Sequence, residues 1–343
     1  PDEAQFPAAT VARCGEWLAA GEATSAAPAP ARTLARVRAA ETVELPAAAG
    51  GARIRESALA LSLSYGATLG VLSEPTAGAR ADLCAVLLNA GALRRIGTNR
   101  MWVETARRWA AQGVPALRVD LEAIGDSDGD DRALRDINVF YAQRNVDAVL
   151  ELLAQLRARG IAERFVLVGF CASAYSSLHA ALADPSVSAV FSVNQYTFFW
   201  AAGLAEERTF EQIASVLRGG VIRRLRSRGL SRDELGRIRG ALRHRLRAGR
   251  PSVESAQAQA VRGVLDRLRE RGTTLLLLLS RKEPLYPQLE QLGVLEQPSR
   301  WPNVTMARLP TADHMLRAIW VQAELADRLD RGLHALLTEQ EAR

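Results

Sequence analysis

The sequence predicts an α/β fold, a mostly parallel central sheet with helices on both faces and an inserted helical cap. Four strand-length runs, "DLCAVLLNAG", "RFVLVGF", "VSAVFSVNQ" and "TTLLLLLS", are continuously apolar, as in strands buried on both faces. Helix-spaced segments separate them, and a strand–helix alternation makes successive strands parallel. The alternation lapses between Gln195 and Thr273, where helical spacing continues without a convincing strand. That interval is read as a cap over the carboxyl ends of the strands.

Residues 1–50 are expected to form an N-terminal arm or linker. Residues 22–50 are rich in Ala and Pro and have no sustained apolar period, although "VARCGEWLAAG" before them suits a short helix. "RESALALSLSYGATLGVLSEP" alternates around a turn at Tyr65-Gly66, giving two antiparallel strands. "TNRMWVETARRWAAQG" is helical by spacing, "VPALRVDLEAIGDSDG" is a strand running into a Gly/Asp/Ser loop, and "FYAQRNVDAVLELLAQLRARG" is again helical. "NVTMARLP" supplies a last strand before the C-terminal helix. The core is thus assigned to residues 51–195 and 265–343, and the cap to 196–264.

Composition narrows the classes of function. Mean hydropathy is -0.05, and apolar runs such as Leu275 to Leu279 are far too short to cross a bilayer, so no membrane association is expected. Cys14, Cys84 and Cys171 are odd in number, widely spaced and without a C-x-x-C pair, which argues against a disulfide framework or a zinc site. No basic-then-apolar leader follows Pro1. A reducing cytoplasm and no metal or cofactor are the expectations. The isoelectric point of 9.8 has a local origin. Residues 218–250 hold twelve arginines against Asp233 and Glu234, a net +10, whereas the whole chain is +6.

The residue type at one turn raises the question of chemistry. In "LVGFCASAYSSLHAAL", residues 167–182, a strand passes through a tight turn into a helix, with Cys171 at the turn. A side chain there stands above the sheet edge, while the helix aims backbone N–H groups and its positive dipole end at it. The alternative is a buried cysteine packed as a small hydrophobe. Of the four histidines, His179 lies two turns into that helix and faces away by spacing, His244 is in the basic insertion, and His334 is in the last helix. His314 remains, in "LPTADHMLR" just after the last predicted strand.

Gly169-Phe170-Cys171-Ala172-Ser173 resembles the nucleophile elbow of the α/β-hydrolase family, with Cys in place of the common Ser and Ser173 in place of the second Gly. "LLNAGALRRIGTNR" and "DLEAIGDSDG" resemble the early half of the serine-aminopeptidase-like branch of that family. The resemblance spans roughly residues 55 to 338. It implies an oxyanion loop at Asn89-Ala90-Gly91-Ala92, where an N–H near Gly91 or Ala92 would join that of Ala172. It also implies that His314 is the base. Asp313 beside it is read as a loop or capping residue. Glu283, after the preceding strand, would hold the imidazole, the competing reading being a surface glutamate neutralised by Arg281 or Lys282. The order Cys171, Glu283, His314 is the one this family uses.

A cysteine nucleophile forms a thioester, so exchange with a thioester donor is like for like. The sequence therefore favours a cysteine-dependent acyl hydrolase or acyltransferase, thioesterase-like, acting in a biosynthetic pathway. Its expected partner is an acyl thioester, carried on coenzyme A or on an acyl or peptidyl carrier protein. Arg223, Arg224 and Arg226 in the basic cap suit an anionic carrier or phosphate, or equally a solvated helical face. Phe198, Phe199 and Trp200 either line an acyl pocket or anchor the cap. Nucleic acid is disfavoured, because the basic stretch lacks interleaved aromatics and a recognisable DNA-binding motif. An esterase or peptidase of the same fold, and a non-catalytic module binding an acidic partner, remain the alternatives.

Overall fold

The computed structural model describes residues 12–17, 42–46, 53–78, 80–131, 134, 136–200 and 251–341. The chain divides into two units, residues 1–41 and 42–343. In the first unit the described residues, 12–17, form a short exposed helix that includes Cys14.

The second unit is built on a nine-stranded sheet. Its strands are β1 (Thr42–Leu45), β2 (Ile54–Leu63), β3 (Gly66–Pro75), β4 (Leu83–Leu88), β5 (Ala116–Val119), β6 (Arg164–Phe170), β7 (Val187–Val193), β8 (Thr274–Ser280) and β9 (Val304–Leu309). The spatial order is β1-β2-β3-β5-β4-β6-β7-β8-β9. Pairing is antiparallel from β1 through β2 and β3 to β5, and parallel across the rest of the sheet.

Helices cover both faces, as the buried runs require. Helix α1 (Met101–Ala111) and the C-terminal helix α6 (Ile319–Glu341) pack on one face, where Trp102, Trp109, Leu325 and Leu329 cluster with Ala85, Val166, Val168 and Phe191 of the central strands. On the other face lie α2 (Gln143–Ala158), α3 (Ala172–Ala183), α4 (Pro251–Glu270) and α5 (Leu285–Gln291), whose Leu152, Leu178, Leu265 and Leu289 pack with Phe165, Leu167 and Leu277.

Two boundaries differ from the sequence expectation. Thr42–Leu45, inside the stretch read as an arm, pairs in register with β2 from Thr42↔Ser57 to Leu45↔Ile54. This edge strand is short and largely exposed, so it lacks the apolar period by which strands are recognised. Helix α4 runs through the boundary drawn at 264, and Val261, Val264, Leu265 and Leu268 are buried in the core. Residues 201–250, with most of the expected cap, lie outside the described residues.

The strand order reverses direction at one place. From β4 the chain moves outward to β5, then returns past β4 to β6. Loops leaving the carboxyl ends of β4 and β6 therefore diverge, and open α/β sheets place their ligand crevice at such a point.

β6 and α3 approach closely there. A Cβ on Gly169 would lie 2.5 Å from the backbone of Ala174 and from the Ser173 carbonyl oxygen. Backbone cannot swing aside as a side chain does, so only glycine fits. Gly169→Ala is expected to lower stability by about 1–3 kcal/mol, read by urea denaturation; unchanged stability would show that the elbow tolerates displacement.

Candidate active site

Cys171 occupies the sharp turn between β6 and α3 with φ 58° and ψ -115°. A left-handed φ is unfavourable for a non-glycine residue and persists only where its surroundings hold it. Here the Cys171 N–H donates to the Val193 carbonyl at 2.9 Å, tying the turn to β7. Ser173 braces the other side: its Oγ accepts from the Phe170 N–H at 2.9 Å and donates to the Phe170 carbonyl at 3.1 Å. Ser176 and Ser177 are buried in α3, and the Ser177 hydroxyl donates to the Ser173 carbonyl.

Glu283 and His314 converge on this turn from the ends of β8 and β9. His314 Nδ1 lies 2.7 Å from Glu283 Oε1, and the imidazole stands edge-on to Phe170, the residue before Cys171, with ring centroids 5.4 Å apart. Glu283 is 3% exposed. Arg281 instead donates to the Pro310 carbonyl. Burial pushes the imidazole pKa down, but its interactions with Cys171 and Glu283 outweigh it and raise the value to about 10. Cys84 provides a contrast, since it is wholly buried on β4 and burial pushes its thiol up to about 12.

The loop carrying His314 is held by residues that the sequence did not single out. Asn194, fully buried after β7, donates from Nδ2 to the His314 carbonyl at 2.7 Å and to Ser280 Oγ at 3.0 Å. Its Oδ1 accepts from the Ser280 N–H at 2.8 Å. Asn99 donates from Nδ2 to the Met315 and Leu316 carbonyls at 2.9 and 3.1 Å. Both asparagines have positive φ, which their short polar side chains tolerate better than most. That tolerance is the one signal the sequence carried. Asp313 accepts from the backbone N–H groups of Met315 and Arg317, a loop-capping role.

Gly91 and Ala172 line one cleft with Leu121, Phe140 and Ser173. Ala92 lines the neighbouring cleft with Ile96, Met315 and Arg317. Asn89 spans the base of the loop, donating to the Gly91 carbonyl at 2.6 Å and accepting from the Leu121 N–H at 3.0 Å. The aromatic run packs against His179 of α3 and against Tyr141. Phe198 is buried in the core and its carbonyl lies 2.8 Å from His179 Nε2. Phe199 packs against His179, and Trp200 stacks on Tyr141 at 3.7 Å while donating to Asn138. Arg223, Arg224 and Arg226 lie outside the described residues. Among the described residues there is no cluster of three or more metal-ligating side chains, and no helix is long and apolar enough to cross a membrane.

Neither a protein-family model nor a curated protein matches the sequence. Among solved structures, the chain is similar to a dienelactone hydrolase-like promiscuous phosphotriesterase from metagenomic libraries, with 13% identity over 82% of this chain and 98% of that one and a TM-score of 0.51. It is also similar to an esterase of Pyrococcus furiosus, with 11% identity over 80% and 90% of the two chains and a TM-score of 0.50. The protein has the α/β-hydrolase fold.

The raised His314 pKa carries a sign that can be checked. Folding favours the protonated imidazole, so its contribution to stability is complete below about 6.5, the unfolded value, and is lost as pH rises toward about 10. The unfolding free energy of the wild type should decline across that window more steeply than that of His314→Gln. Parallel curves from urea titrations at successive pH values would contradict the assignment.

Proposed function

We propose that this protein is an acyl hydrolase or acyltransferase that carries its acyl group on Cys171. The observation that supports the reading best is the convergence of His314 and Glu283 on the turn at Cys171, with the imidazole against Phe170 and its Nδ1 2.7 Å from Glu283 Oε1.

In this reading the thiol proton passes to His314, and the thiolate adds to the carbonyl carbon of the donor. Glu283 keeps Nδ1 engaged, so the other ring nitrogen serves the sulfur. The carbonyl π electrons move onto oxygen, and the resulting oxyanion faces the Ala172 N–H and the Gly91 turn. Collapse expels the donor's thiolate, which takes the proton from His314 and leaves an acyl-cysteine thioester. Water or another nucleophile, losing its proton to His314, then attacks the thioester carbonyl. The acid or transfer product departs, and the proton returns to the Cys171 sulfur.

The donor is proposed to be a thioester, because its capture replaces one thioester by another at little cost in free energy, whereas an oxygen ester must climb. The arginines of 218–250 support an anionic carrier such as coenzyme A or a phosphopantetheine-bearing protein.

Intact-protein mass spectrometry after brief exposure to a panel of acyl thioesters tests the proposal. The wild type should gain one acyl group, and Cys171→Ala should gain none and lose turnover. An adduct on Cys171→Ala, or no adduct and no thioester consumed by the wild type, would overturn it. Glu283→Gln should retain the adduct while slowing its formation by about 10- to 1,000-fold, since it leaves the imidazole without its anionic partner. An unchanged rate would remove Glu283 from the mechanism.

A further inference from the structure

The loop between β4 and α1 is tied at two points to the loop that follows β5. Asn89 makes the first tie, to the Leu121 N–H. Arg95 makes the second. Its backbone N–H donates to Asp120 Oδ1, its Nη1 to Asp120 Oδ2 at 2.6 Å, and its Nη2 to Asp126 Oδ2 at 2.6 Å. Between the ties lie Ala90, Gly91, Ala92, Leu93 and Arg94, with the Leu93 N–H closing a turn onto the Ala90 carbonyl at 2.9 Å. The segment that would present the second oxyanion donor is therefore clamped from both ends.

The far side of the clamp is rigid. Asp120 is fully buried, and its carbonyl accepts from Thr68 Oγ at 2.7 Å and Ser127 Oγ at 3.0 Å. Gly125, with φ +60°, lies so close that a Cβ there would collide with Asp120 Oδ2. The carboxylate is thus wedged against backbone on one side and held by a guanidinium on the other. Trp102 supports the same loop from beneath, donating from Nε1 to the Leu88 carbonyl at 2.8 Å, while Gly97 leaves room for its ring.

We propose that Arg95 is a positioning residue that sets the Gly91 turn at the distance from Cys171 at which its backbone stabilises the oxyanion. This rests on the acyl-transfer reading above. The Arg95 guanidinium is engaged by Asp120 and Asp126, so it acts through the backbone between the two ties. A planar guanidinium bridges two carboxylates on one loop, and an ammonium cannot reproduce that geometry.

The test compares two reactions of the same sulfur. Alkylation by iodoacetamide needs the thiolate but forms no oxyanion; acylation by p-nitrophenyl acetate or by an acetyl thioester of N-acetylcysteamine needs both. Arg95→Lys keeps a cation beside buried Asp120, so the fold is retained more readily than in Arg95→Gln. The expected result for Arg95→Lys is an acylation rate lower by about tenfold or more, with alkylation of Cys171 within twofold of wild type. Guanidinium ion at sub-denaturing concentration should restore part of the acylation rate in Arg95→Ala. Equal loss in both reactions would mean that Arg95 merely maintains the fold, and no loss in either would mean that it positions nothing; each overturns the inference. A wild type that is alkylated but never acylated would instead overturn the acyl-transfer reading, and the inference with it.

Discussion

The turn at Cys171 depends on how closely β6 and α3 can approach. A chain that leaves a strand and enters a helix within one residue must adopt a left-handed conformation there, and that conformation is disfavoured for cysteine. It is held by the Val193 carbonyl on one side and the Ser173 hydroxyl on the other, and it is possible only because Gly169 has no side chain to separate strand from helix. The same geometry leaves the first N–H groups of α3 beside the sulfur, where a developing negative charge would meet them.

The partners of Cys171 are placed by polar side chains that bridge distant parts of the chain. Asn194 links the end of β7 to the end of β8 and to the His314 loop. Asn99 reaches the same loop from the start of α1. Each is an amide that can donate and accept at once, so one side chain holds several backbone segments in register. A loop fixed in this way gives the imidazole a defined direction, and Glu283, nearly inaccessible to water, fixes its tautomer.

Charge is used similarly away from the sulfur. Glu56 on β2 accepts from Arg107 of α1 and Arg118 of β5 and from Ser73 of β3, so one carboxylate joins three strands and the helix above them. Its pKa is pushed up by burial, yet the arginines and Ser73 hold it below the ordinary value. A buried charge is tolerable only when it is paired and hydrogen-bonded in this manner. Asp120 and Arg95 repeat the arrangement beside the Gly91 turn.

Residue order along the chain was enough to reveal the strand–helix alternation and the tight turn at Cys171, and resemblance to a known family then picked out Glu283 and His314, each just beyond a strand, as candidates. These features are local: an apolar run, a small residue at a tight turn, a residue just beyond a strand. The place of β1 in the sheet emerged only from the folded chain, because four largely exposed residues carry no periodic signal. So did the grip of Asn194 and Asn99 on the His314 loop, across 120 and more than 200 residues of chain. Such contacts follow from the order of strands in the sheet, which brings chain ends together without leaving any pattern in the neighbouring sequence.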